Sequence, residues 1–370
     1  MRIPPFRIEQ YYDEHEFRVG HMLSSSDAES RSIGELLALE PDALERFSRQ
    51  RLGYTEAAGS PALRREVARV YETLTPEDVL VCSSAEEGIF LLYHALLGPG
   101  DHAVVEAPCY ESALQLARST GAEVSVWQRR VEEDWAHDLD ALEALLRPNT
   151  RVVYINTPHN PTGLLMPREV YQRVLALGTE RGFTLFCDEV YRELEHDPAT
   201  RLPAACDAEP GAVSLGSISK TYGLPGLRLG WLASKDRAVL KRVRELKYYT
   251  TICSPAPSEF LTELALRHRS KLAARNLAIV HRNLPLLDDF LQRHGGLFSW
   301  VRPDAGPIGF VRFHGDEGVQ AFCARVAEGA DVLLLPGTVY DEPGHLRVGY
   351  GRANLPQALK RLEAYLARPG

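Results

Sequence analysis

The run GSISKTYGLPGLRLGW (residues 216–231) sets one lysine, Lys220, among glycines and hydroxyls, with Arg228 eight positions further on. The stretch before it, GAVSLGSIS, reads as a strand opening into a loop. A lysine desolvated at a strand end has a lowered pKa and becomes a nucleophile towards an aldehyde. A solvated loop lysine is the plainer alternative, but it needs no such setting. A phosphate-cradling P-loop does not fit. Gly211 and Gly216 have the spacing, yet Ser217 stands where the lysine is required and Lys220 comes too late.

Pyridoxal phosphate is an aldehyde that a lysine can hold, and it makes three further demands: an acid opposite its ring nitrogen, donors for its phosphate, and an aromatic face. Asp188, on the apolar run TLFCDEVY, can supply the acid. Ser217 and Arg228 flank Lys220 and can grip a phosphate, the arginine through charge-assisted bonds. CSSAEEG opens a helix after a strand, so the free N–H groups around Ala85 and Glu86 offer an anion site.

These residues need a scaffold that brings them together. From about residue 78 the chain alternates short β-rich runs (DVLVC, HAVVE, EVSVW, RVVYIN, FTLFCDEV, AVSLGSIS) with helical stretches. That alternation predicts a mostly parallel sheet covered on both faces. In such sheets ligands bind beyond the carboxyl ends of the strands. Ser83–Ser84, Asn156–Gly163, Asp188 and Ser217–Lys220 each follow one of these runs, so four strands aim polar groups at one edge. The tail, with GPIGFVRFHG, VLLLPG and HLRVGYG, reads as a smaller α+β unit, and the segment from Ser258 to Gly295 as one long or two shorter helices.

The 370 residues suffice for two to three domains of roughly 150 residues each. A net charge of -8 argues against a nucleic-acid or membrane-surface partner. No apolar run is long enough to span a bilayer, and MRIPPFRIEQ lacks a signal-peptide core. Six scattered cysteines show no metal-ligand spacing, which reads as free thiols in a reducing cytoplasm and no metal site.

With these residues in view, the chain resembles the class I/II aminotransferases, fold-type-I pyridoxal-phosphate enzymes. YTEAAGSPALRREVA, LLGPGD, NTPHNPTG, CDEVY, SISKTYGLPGLRLGW and HLRVGYG follow the family's order and rough spacing from Tyr54 to Arg347. The resemblance implies a seven-stranded, mostly parallel large-domain sheet over 49–275 and a smaller α+β domain over 276–370, to which segment 1–48 contributes. It implies that Lys220 forms the internal aldimine with pyridoxal 5'-phosphate and later moves the substrate Cα proton. Asp188 would pair with the ring nitrogen, and Asn160 and Tyr191 would bond the phenolic oxygen. Tyr110 would stack on the ring. Ser84, the amides of Ala85 and Glu86, Ser217 and Arg228 would bind the phosphate. Tyr54 would reach the phosphate of a neighbouring subunit, which implies a homodimer, and Arg347 would clamp the substrate α-carboxylate. His159, beside Asn160, reads as a supporting residue.

The function implied is amino transfer between an L-amino acid and a 2-oxo acid. The alternative is a lyase, replacement or cyclising enzyme on an amino acid, like carbon–sulfur lyases or capreomycidine synthase. A ligand-sensing regulator is disfavoured, because no basic helix-turn-helix pattern precedes Tyr54. Two departures bear on substrate choice. LSSSDAES places Ser26 at or near a position where the family often has glycine, and the phosphate turn SSAEE lacks the common glycine. No second arginine for a side-chain carboxylate is identifiable.

Overall fold

The apolar runs between residues 79 and 233 pair into one seven-stranded sheet. The computed structural model describes residues 3–368. After a short β1 (His21–Met22), the strands of this sheet are β2 (Val79–Cys82), β3 (His102–Ala107), β4 (Glu123–Gln128), β5 (Thr150–Asn156), β6 (Thr184–Asp188), β7 (Val213–Ser217) and β8 (Gly230–Ala233). Their order is β2-β8-β7-β6-β5-β3-β4, parallel throughout except for β8, which runs against both neighbours.

Both faces of the sheet are buried, which is why the strands read as continuous apolar runs. Val152 and Tyr154 of β5, Phe186 of β6 and Leu215 of β7 face one core, with Leu92 and Val243 from the covering helices Ala85–Leu96 and Arg237–Lys247. Val153, Ile155, Leu185 and Cys187 point the other way, against the helix Arg168–Arg181. The predicted α/β class with a mostly parallel sheet is therefore the observed one.

The tail forms an antiparallel sheet in the order β12-β13-β10-β9, built from β9 (Phe298–Trp300), β10 (Ile308–Phe313), β12 (Leu335–Pro336) and β13 (His345–Gly349). Between them β11 (Val332–Leu333) pairs in parallel with β1. The connecting segment is two helices, Ala256–Arg267 and Arg269–Arg293, and position 275 lies inside the second. The N-terminal helix Arg7–His15 sets Ile8 and Tyr11 into a cluster with Phe310, Leu335, Val339 and Tyr340, next to Tyr110 and Tyr12. It thus lies across the junction of the two sheets' units.

Candidate active site

The strand register builds the floor of the site. Cys82, Gly230 and Ser217 form one cross-strand row at the carboxyl edge, and Asn156 pairs with Asp188 in another. Beyond the first row stands the N-terminus of the helix Ala85–Leu96, whose first-turn amides lie outside the helical ladder. It approaches so closely that a Cβ on Gly230 would sit 2.5 Å from the Ala85 nitrogen. Ser84 caps this helix by accepting from Glu87 N–H at 3.3 Å. It does so at φ 120, ψ 165, a backbone region that glycine alone occupies freely. The serine in place of the family's glycine is therefore accommodated under strain. Glu86 is pushed up to about 7 by burial, although Ser112 donates to it at 3.0 Å. Arg228 is exposed at the same edge, and its charge reaches Glu86.

Lys220 follows β7 and is partly buried, with Nζ donating to Ser26 Oγ at 2.8 Å. Burial lowers its pKa; Asp27, Glu9 and Asp188 pull the other way, while Arg347 adds to the lowering. Asp188 ends β6, where Val190 N–H and Tyr154 Oη each donate to its carboxylate at 3.1 Å. Burial nonetheless pushes its carboxyl up to about 6, against those bonds and the Lys220 charge. A cation beside it would restore the carboxylate.

Asn160 is positioned from below. Its N–H donates to Asn156 Oδ1 at 2.7 Å; Asn156 donates from its side chain to Asp188 O and from its backbone to Glu106, both at 2.9 Å. Burial would raise Glu106, but its bonds with His137 at 2.9 Å and Arg129 at 3.2 Å hold it low. His159 is buried, bonded to Thr162 Oγ1 at 2.8 Å and Pro108 O at 2.9 Å, and burial depresses its pKa to about 3. It supports the loop as a neutral ring.

The roof comes from elsewhere in the chain. Arg347, on β13, is 1% exposed and makes no ion pair among the described residues. It donates to Ser24 O at 2.9 Å, Tyr12 Oη at 2.7 Å, Asn160 Oδ1 at 3.2 Å and Tyr340 Oη at 2.5 Å. A buried guanidinium without a counter-ion is a site for an anion. Tyr110 lies beneath the N-terminal helix, donating to Glu9 at 2.5 Å with its ring 5.1 Å from that of Phe6. Arg7 ties that helix to both units, through Glu111 and Asp341 at 2.8 Å each. Tyr12, Tyr340, Tyr154 and Glu9 escape the sequence reading, since no local motif marks them.

Lys220, Asp188, Asn160, Tyr191, Ser26 and Arg347 thus converge, with Ser84, Ala85, Glu86, Ser217 and Arg228 along one side and Tyr110 on another. Ser217 Oγ is spent within the edge, donating to Leu229 O at 3.3 Å and accepting from Ser219 N–H at 3.0 Å. Tyr54 stands apart: it is 91% exposed and belongs to a surface with Leu52, Thr251 and Cys253.

Pyridoxal phosphate fits these residues. Buried Tyr191 Oη, beside Arg347 and Ser26, is among the buried hydroxyls that spend no hydrogen bond within the described residues, and so is free to bond a ligand. The open helix N-terminus offers a phosphate cradle, and the buried Asp188 calls for a cation.

The family pattern for aminotransferase class I and II matches residues 24–362. The chain is 30% identical to capreomycidine synthase of Streptomyces vinaceus over 350 residues, covering 94% of this chain and 90% of that one. The fold is similar to that of a pyridoxal-phosphate-dependent aminotransferase from Streptococcus suis 89-1591, with 31% identity, a TM-score of 0.93, and 99% and 98% of the two chains covered. It is also similar to a pyridoxal-phosphate-dependent cyclase, OrfR, at 29% identity and a TM-score of 0.91, with the same shares covered.

Proposed function

The chain belongs to the aminotransferase class I and II family, and from that premise we propose that Lys220, Asp188, Asn160, Tyr191 and Arg347 carry amino transfer between an L-amino acid and a 2-oxo acid. It is a pyridoxal-phosphate-dependent aminotransferase, with small-molecule substrates. When bound, the cofactor supplies an electron sink for the pair released as the substrate Cα–H bond breaks.

This chain's residues do the rest. Lys220 would hold the cofactor covalently, then act as the base that takes the Cα proton and returns it; its lowered pKa keeps a free amine available for that. Asp188 would face the ring nitrogen and hold a proton there. Tyr191 and Asn160 would bond the phenolic oxygen. The amides of Ala85 and Glu86, with Ser84, Ser217 and Arg228, would bind the phosphate, and Tyr110 would cover the ring. Arg347 would exchange some of its present bonds for the substrate α-carboxylate, while Tyr12 and Tyr340 exclude water around it. A homodimer in which Tyr54 reaches the neighbour's phosphate accounts for that side chain's exposure beside Leu52, itself 84% exposed. On this reading residues 49–275 serve the cofactor, while 276–370 with segment 1–48 close over the substrate.

The observation that carries the reading is a pKa-lowered lysine and a buried carboxylate at one strand edge, met by a buried arginine from β13 that makes no ion pair among the described residues. A second reading, cyclisation or elimination, draws support from the likeness to capreomycidine synthase and the cyclase, and from Ser26 against Lys220. One half-reaction separates them. Holoenzyme given an amino donor and no acceptor should release one equivalent of 2-oxo acid per site, stop, and resume when a 2-oxo acid is added. Continued turnover with release of ammonia or a side-chain fragment would replace amino transfer by the second reading.

A further inference from the structure

The large sheet opens at one place along its carboxyl edge. β3 and β5 are neighbours, but β4 lies beyond β3 on one side while β6 and β7 lie beyond β5 on the other, so the strand order reverses between them. Such a reversal is where an open α/β sheet leaves a crevice for a ligand. The β3–β5 pairing stops at Val105 and Tyr154, although β3 runs on to Ala107 and β5 to Asn156.

Glu106 fills that gap. It is fully buried, and the reading above gives it no task. Its Oε1 accepts from Arg129 at 3.2 Å and from His137 Nε2 at 2.9 Å. Its Oε2 accepts at 2.9 Å from Asn156 N–H, which lies past the end of the β3–β5 pairing. The side chains of Arg129 and His137 are each 2% exposed, and Arg129 Nε is anchored in turn on Trp135 O at 2.5 Å. A carboxylate this deeply buried persists only with such partners.

What it holds is Asn156, whose side chain works in two directions. Oδ1 accepts from Asn160 N–H at 2.7 Å, and Nδ2 donates to Asp188 O at 2.9 Å. Thr157 N–H joins it on the same carbonyl oxygen at 3.0 Å. One amide thus ties the loop that carries Asn160 to the strand end that carries Asp188. Asn160 Oδ1 accepts from Tyr340 Oη at 3.1 Å and from Arg347 at 3.2 Å, while its side-chain nitrogen donates no hydrogen bond among the described residues. A free N–H group fixed on two sides is what a bound oxygen acceptor requires.

We propose that Glu106 is a positioning residue: held by Arg129 and His137, it sets through Asn156 where the Asn160 side chain and Asp188 stand. The proposal rests on the reading of Asn160 as a donor to the cofactor's phenolic oxygen, and adds the group that fixes that donor.

The test follows the visible absorbance of the holoenzyme against pH, which needs neither substrate nor turnover. A hydrogen bond to the phenolic oxygen stabilises it without the proton it shares with the Lys220 linkage, and so lowers the midpoint of that titration. Losing the donor should raise the midpoint by about one unit, a tenfold change in proton affinity and the worth of one hydrogen bond. Asn160→Ala should show that full shift, and Asn156→Ala most of it. Glu106→Gln leaves one acceptor oxygen for three donors, so it too should raise the midpoint, by about half a unit or more. The double variant Glu106→Gln/Asn156→Ala should shift no further than Asn156→Ala alone, because both act along one chain of bonds. Since Glu106→Gln strands the Arg129 charge, Glu106→Gln/Arg129→Met, which removes both charges, is measured beside it.

Thermal denaturation accompanies each titration. A Glu106 variant that melts lower yet keeps the wild-type midpoint would overturn the proposal, since Glu106 would then only stabilise the sheet edge. Loss of the fold in both Glu106 variants would overturn it for the same reason. Additive shifts in the Glu106→Gln/Asn156→Ala variant would show that Glu106 does not act through Asn156. If Asn160→Ala leaves the midpoint unmoved, the reading of Asn160 fails and takes the proposal with it. If Asn160→Ala moves it and the Glu106 variants do not, the proposal fails alone.

Discussion

The floor and the roof of this site are built on different principles. The floor is strand-end chemistry: Asp188 and Ser217 close β6 and β7, locked by sheet register and by cores on both faces. The roof is a helix of nine residues, Arg7–His15, with the segment around Ser24–Ser26 and β13. It is held by side-chain bonds spanning more than 300 positions of sequence, such as Arg347 to Tyr12 and Arg7 to Asp341. Register-locked groups keep their geometry without a ligand, whereas the side-chain bonds of Arg347 are the ones a substrate would exchange on the proposed reading. On the proposed reading the contrast separates two tasks: the floor would hold groups that act at the cofactor, and the roof groups that read the amino acid.

Substitutions in the two regions should therefore fail differently. Lys220→Ala removes the proton-moving amine and should cost the half-reaction about 10⁴-fold or more, with phosphate contacts still retaining some cofactor. Asp188→Asn should cost about 10³-fold in rate while most cofactor affinity survives, read by single-turnover kinetics against absorbance titration. Near-normal turnover in that variant would remove Asp188 from the chemistry. In the roof, Arg347→Ala should lower kcat/KM by about 100-fold for every donor alike, because the α-carboxylate is common to all. If only some donors suffer, Arg347 reads side chains and the division of labour drawn here is wrong.

The floor was legible in the sequence because its signals are local. Lys220, Ser217 and Arg228 sit within a dozen residues, and Asp188 ends an unbroken apolar run. The strand–helix alternation sufficed for the sheet, whose faces are both buried. The roof was not legible, since its meaning lies in long-range pairs. Tyr12 precedes the matched family region, and its bond to Arg347 links positions 335 apart. Tyr340 belongs to a short 3-10 turn, Gly337–Tyr340, with no periodicity to read. Tyr154 looked like one more apolar residue of β5, yet its hydroxyl reaches Asp188. The missing glycine of the phosphate turn was visible as a departure, but its consequence, a serine at φ 120, appears only in the backbone.

That strained serine gives the smallest expected effect and a check confined to the floor. Ser84→Gly should stabilise the cofactor-free protein by about 1 kcal/mol, as relief of strain outweighs the few tenths lost at the helix cap. Chemical denaturation measures it, and a destabilised variant would mean that the Ser84 bond to Glu87 matters more than the backbone does.

The central claim is that Lys220 is the residue joined to the cofactor, and the protein contains its own control. Lys247 is also buried, but its Nζ is spent on Ala57 O at 2.8 Å. Borohydride reduction of the holoenzyme, followed by peptide mass mapping, compares the two directly. The reduced cofactor's mass should appear on the peptide containing Lys220 and nowhere else. Its appearance on Lys247, or on any other lysine, would contradict the account.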